Sequence, residues 1–282
     1  MAISRKKIKY FILAFVLVFS FRAFYGFRHN SFGQDFARDL TLTQTKIKQG
    51  QVVVGYGPKA SVGDFYLPPF YYQLMLVLGY LTQNFIWTMK LFVLFLESFT
   101  PILLYLILRQ LKIKQVFSLG LAGLYAIAGL PTIFGTFAWN PNTIPFFSTL
   151  ALYGWLRYLK SKVKWPLIVG PLLIAITIHL HYQAVVLAPF VIIFMIYSLI
   201  KRKQDWKYWI IGACLALLTF APYFYFEAQN NWQNTQDIVN YFQAEHSQYY
   251  ERVSKPAYVL TFLPSFFERT LVAKNLRWRW LG

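Results

Sequence analysis

Asp35, Arg38 and Asp39 stand together in the stretch SFGQDFARDLTLTQTKIKQG, in a chain with only ten acidic residues. A carboxylate beside a guanidinium can serve as a general base. On spacing alone the trio reads first as a helix-opening acid with a local ion pair, since carboxylates favour a helix N-terminus. HLHYQ supplies His179, His181 and Gln183. The histidines, two apart, fall on opposite faces of a helix and make a poor shared metal site, whereas His179 and Gln183, four apart, share a face. They read as a polar network or as two satisfied interfacial imidazoles, which are costly to bury unpaired. FAWNPNTIP places Trp139, Asn140 and Asn142 at a helix end, as polar contacts or as an interfacial tryptophan with capping amides. In GYGPKASVGDFYLPPFYY, Gly55, Gly57 and Gly63 could turn N–H groups towards a phosphate, with Lys59 supplying charge. The phosphate-loop pattern is incomplete, and turn formation alone accounts for these glycines. Tyr66, Tyr71 and Tyr72 adjoin Lys59 and predict an aromatic groove for a lipid headgroup. No zinc pattern, nucleophile elbow or dinucleotide fingerprint is present, so neither metal nor cofactor is expected.

These residues must be carried by elements of a membrane protein. At 57% hydrophobic, 20% aromatic and 13% charged, 282 residues are too apolar for a soluble domain. The +18 formal charge lies in short clusters between apolar runs, which excludes a nucleic-acid surface and suits anionic membrane lipids. One cysteine, Cys214, excludes an intramolecular disulfide. Apolar runs over 8–26, 86–108, 115–133, 145–161, 166–182, 183–200 and 208–226 predict an all-α polytopic bundle of about seven transmembrane helices. If 69–85 also crossed, the cationic clusters at 109–114 and 201–207 would fall outside. If it stays at the outer interface, every cluster is cytoplasmic, as is the N-terminus, and that arrangement is the expected one. The outer side then collects a long first loop, 27–85, with interfacial helices. One helix opens near Gln34 or Asp35 and closes at Gly50, with Phe36, Leu40 and Ile47 on one stripe and both aspartates bordering it. Residues 1–226 form the membrane module, and 227–282 an extracytoplasmic or interfacial segment.

The ordered set QDFARDLTLTQ, GQVVVGYGPKASVGDFYLPPFYYQLMLVLGYL, WNPNTIPFF and IHLHYQAVVLAPF resembles the bacterial membrane glycosyltransferases similar to protein O-mannosyltransferases and the lipid A aminoarabinose transferase. The resemblance implies a GT-C fold in the plasma membrane, with a polyprenyl-phosphate-linked sugar as donor substrate. The acceptor would be an extracytoplasmic glycan, lipid or protein. It also implies that Asp35 is the catalytic carboxylate. Arg38, Asp39, Lys59, Tyr66, Asn140, His179, His181 and Gln183 are expected to support it or bind substrate. Phe36 stands where members often carry an acidic or amide residue. Tyr66 and Leu67 stand where several carry a charged pair, which leaves the lipid-phosphate contact unassigned. Further helices follow the seven-crossing module in that family, so this chain is expected to be a fragment or a minimal form. The competing class is a non-catalytic carrier, flippase or scaffold subunit for lipid-linked sugars.

Overall fold

Apart from one isolated antiparallel bridge between Lys59 and Tyr66, every regular element of the computed structural model is helical; it describes residues 5–29, 33–60, 63–82 and 85–243. Expectations for 244–282 lie outside the described residues. The helices are α1 (Arg5–His29), α2 (Gln34–Lys48), α3 (Phe70–Leu81), α4 (Phe85–Gln110), α5 (Gln115–Ile127) and α6 (Gly129–Phe134). They continue as α7 (Ile144–Ser161), α8 (Trp165–Leu180), α9 (Ala188–Lys201), α10 (Trp206–Thr219), α11 (Ala221–Gln229) and α12 (Gln233–Gln243). Short 3₁₀ turns cover Asn140–Thr143, Tyr182–Leu187 and Lys203–Asp205.

Three spans among the described residues are long and apolar enough to cross a membrane: Ile8–Arg28, Phe85–Gln110 and Tyr182–Lys201. A fourth arises if Lys203–Thr219 and Ala221–Gln229, bent by 45°, count as one. Two runs that read as continuous are therefore interrupted. Ala128 is extended between α5 and α6 (φ −59°, ψ 138°), where Gly129 weakens the helix and Pro131 cannot donate. Phe220 marks the bend before Pro222. Helix α8 reaches only 16 residues and α5 only 13.

The bundle is ordered by close pairs. Helix α8 packs extensively on α7 and α10, α4 on α7, α5 and α1, and α3 lies beneath α2. Antiparallel contact of α1 with α4 runs from Phe15 against Phe95 and Phe99 to Phe27 against Trp87. Most of α1 and α9 is left facing outward, as apolar surfaces bathed by lipid would be. Helix α3, at 12 residues, is about 18 Å long and cannot span a hydrocarbon core of roughly 30 Å. Its Tyr71, Tyr72, Met75 and Leu76 are buried with Phe36 and Leu40 in one apolar cluster.

Polar contacts gather at the two ends of the bundle. At one, Lys164 and the Tyr158 hydroxyl (2.6 Å) both reach the buried Asp205 carboxylate, tying the α7–α8 turn to the α9–α10 turn among the cationic clusters. At the other lie α2, α3, the 51–68 loop, the 137–143 segment, the start of the Tyr182 turn and α12, linked by the contacts described next.

Candidate functional site

The stripe of α2 decides which carboxylate is exposed. Phe36, Asp39, Leu40 and Thr43 follow the 3–4 spacing of one helical face, and all four are buried against α3. Asp35 sits at the edge of that face with its side chain 47% exposed. The two aspartates were expected to border the stripe alike; they do not, because only Asp39 lies within it. Arg38 joins them. Its Nε and Nη2 donate to Asp39 Oδ1 at 2.9 and 2.8 Å, and its Nη1 donates to Asp35 Oδ1 at 3.0 Å. The Tyr72 hydroxyl donates to the same Asp39 oxygen at 2.7 Å, which leaves Asp39 Oδ2 buried without a partner. Burial pushes the Asp39 carboxyl above the ordinary range, although Tyr72 and Arg38 pull the other way. The carboxylates hold the Arg38 guanidinium firmly charged. Helix-capping does not describe Asp35. Gly33 is the N-cap with no side-chain bond, and Asp35 stands in the first turn, bonded to Arg38.

The loop glycines build a tight backbone hairpin. Gly57 N donates to Leu67 O at 2.6 Å and Leu67 N to Pro58 O at 2.9 Å. A Cβ on Gly57 would lie 2.4 Å from Pro68 O, so the two chain segments approach more closely than any side chain allows. Lys59, expected to meet a phosphate, pairs with the exposed Asp64 at 2.7 Å. Tyr66 is gripped through its backbone. Asn234 Oδ1 accepts from its N–H at 2.5 Å, and Asn234 Nδ2 and the Tyr182 hydroxyl donate to its carbonyl at 3.1 and 2.7 Å. The expected groove of Tyr66, Tyr71 and Tyr72 is not formed. Tyr71 and Tyr72 lie buried under α2, while the Tyr66 ring packs on Tyr56 with centroids 5.0 Å apart.

Asn140 and the histidines serve to join elements. Asn140 Nδ2 donates to Leu180 O at 2.5 Å, closing the 3₁₀ turn onto the end of α8. His179 is buried, with Phe70 N donating to its Nδ1 at 3.4 Å and its Nε2 3.0 Å from Thr219 Oγ1. The Thr219 hydroxyl already donates to Ala216 O at 2.6 Å, so Nε2 carries the ring proton and donates to Thr219. A neutral imidazole with both nitrogens engaged ties α3, α8 and α10 together. Helix α8 ends at Leu180, and His181 is extended (φ −162°, ψ 129°), its Nδ1 accepting from Gln183 N at 3.2 Å. His179 and Gln183 were expected to share a helical face, but the helix stops between them. Gln183 is exposed and His179 is not. Among the described residues no group of three or more His, Cys, Asp and Glu could hold a metal.

Several partners escaped the sequence reading. Tyr72 gives no sign that it meets Asp39 until the α2–α3 packing is known. Glu227 is buried, accepting from Thr235 N and Oγ1 at 2.8 and 2.5 Å to cap α12. Asn234 Nδ2 also donates to Tyr223 Oη at 2.6 Å. The available signal was an acid directly after an apolar run and an amide seven residues, about two turns, further on. The chain matches no protein-family model, and no curated protein matches it either.

Proposed function

We propose that this protein is an inverting membrane glycosyltransferase that moves a sugar from a polyprenyl-phosphate donor to an extracytoplasmic acceptor. One observation carries the reading: the exposed Asp35 carboxylate is held by Arg38, which is itself anchored on the buried Asp39–Tyr72 pair. A base must meet substrate and solvent, and an anchor must not. In this pair the two tasks fall to separate carboxylates. The resemblance noted for the surrounding sequence assigns the same residue, Asp35, as catalyst.

In the proposed step Asp35 takes the proton of an acceptor O–H or N–H as that atom attacks the anomeric carbon. The bond from that carbon to the phosphate oxygen breaks, the sugar inverts, and polyprenyl phosphate leaves. The leaving group needs little protonation, so a single base suffices, where glycoside hydrolysis uses two carboxylates. Three of the five N–H groups of Arg38 are used on the aspartates, and the other two are available to the departing phosphate. Seven crossings, with 70–81 on the outer side and the cationic end in the cytoplasm, would place this site on the extracytoplasmic face.

A second reading, a carrier for lipid-linked sugars, is favoured by a buried arginine, Arg22, and a buried glutamate, Glu97, beside a broken helix. The two readings differ in one measurable product. Purified protein in liposomes with polyprenyl-phosphate hexose and pentose donors should release free polyprenyl phosphate and give a product inverted at the anomeric carbon. Translocation of intact donor without cleavage would favour the carrier instead.

A further inference from the structure

We infer that Arg22 is a conformational lock that keeps the α5–α6 segment broken by standing in for backbone donors lost at Pro101 and at the break around Ala128. Arg22 is fully buried in α1. Its Nη1 donates to Glu97 O at 2.8 Å. In an uninterrupted helix that carbonyl would accept from the N–H four residues on, but residue 101 is proline and has none. Its Nε and Nη2 donate to Ala126 O and Tyr125 O, each at 3.2 Å. Those carbonyls would otherwise accept from Leu130 and Gly129, which lie beyond the extended Ala128. The next carbonyl, that of Ile127, would need the N–H of Pro131.

The guanidinium therefore serves three carbonyls on two helices in a region where lipid offers no donors. Each would otherwise cost several kcal/mol. Glu97 acts in the opposite sense, as an acceptor. Its Oε1 takes the N–H of Phe146 in the first turn of α7 at 3.1 Å, and its Oε2 the Thr100 hydroxyl at 3.2 Å. Gly135 makes the room, since a Cβ there would stand 3.3 Å from Arg22 Nη1 and 2.7 Å from Pro131 O. The segment that follows α6 carries Asn140, which closes onto Leu180. Arg22 is in this sense a positioning residue for the loop end of the bundle. Without it, Tyr125 and Ala126 recover donors only if the helix continues through Ala128, and Asn140 is carried with it.

The test pairs R22M with P101A in purified, detergent-solubilised protein. R22M should lower the thermal midpoint markedly and P101A alone should change it little. The double variant should recover about a third of the loss, one carbonyl of the three being repaired. Spin labels at Phe117 and Leu130, flanking the break, should move apart in R22M towards the roughly 20 Å of thirteen residues of straight helix. Additive midpoints, or a label distance unchanged by R22M, would overturn the lock. If R22M does not fold, R22K with and without P101A gives the same comparison, because a single ammonium cannot span the three carbonyls. Additivity in that pair would overturn it equally.

Discussion

Asp39 meets three donors through one oxygen while the other stands buried and unpartnered. Such a carboxylate is held in place by its partners and penalised by its surroundings, and the penalty prevails because burial lifts its titration above the ordinary value. The sign follows from linkage. A group whose folded value is raised contributes stability that is fully present below its unfolded value and is lost as pH rises through the folded one. As pH rises upwards from the ordinary carboxylate range, wild type should lose stability relative to Asp39→Asn, which has no proton to release. Thermal midpoints of the two proteins across that rise check this. A difference that stays flat, or that grows in favour of wild type with rising pH, would contradict the burial-dominated site.

Helix packing sets a second expectation, one that contrasts two kinds of glycine. Gly212 brings α10 onto the backbone of α8, where a Cβ would lie 2.6 Å from Leu167 O and 2.7 Å from Ile168 O. Neither carbonyl can turn aside, so Gly212→Ala should cost about 1–3 kcal/mol. Gly120 and Gly123 in α5 face open space, and alanine there should be neutral or stabilising by up to about 1 kcal/mol. Unfolding in mixed micelles separates the two cases, and equal losses would contradict the packing described. The elements were unevenly legible beforehand. Helix α2 could be read because Phe36 and Leu40 repeat at helical spacing among polar residues and Gly50 follows its end, but periodicity did not show that Asp39 and Thr43 lie within the buried face. The runs 115–133 and 208–226 are apolar throughout, and uniform hydrophobicity hides an interruption that only Gly129, Pro131 and Pro222 betray. The end of α8 at Leu180, and with it the separation of His179 from Gln183, has no Gly or Pro nearby to mark it.

Across the whole molecule, the sorting of charge follows from what lipid will not tolerate. Cationic clusters and Asp205 occupy one end and the Asp35–Arg38–Asp39 trio the other, and the buried Arg22 and Glu97 between them are consumed by hydrogen bonds to backbone groups and to Thr100. The composition and the spacing of clusters made the membrane class and this division readable. Tertiary partners such as Tyr72 for Asp39 and Asn234 for Tyr66 were not, because they join residues 33 and 168 positions apart. The same division gives the proposed reaction its direction: a base at the end away from the cationic clusters, reached by a lipid donor from the side. The most direct measurement is sugar transfer by protein reconstituted with a polyprenyl-phosphate sugar, comparing Asp35→Asn and Asp39→Asn with an active wild type. The amide keeps the shape of Asp35 and its contact with Arg38 but cannot take a proton. Asp35→Asn should therefore retain folding and donor binding while transfer falls by about 10²-fold or more, with a milder loss for Asp39→Asn. Transfer by the Asp35 variant within about threefold of wild type would contradict the assignment of Asp35 as the base.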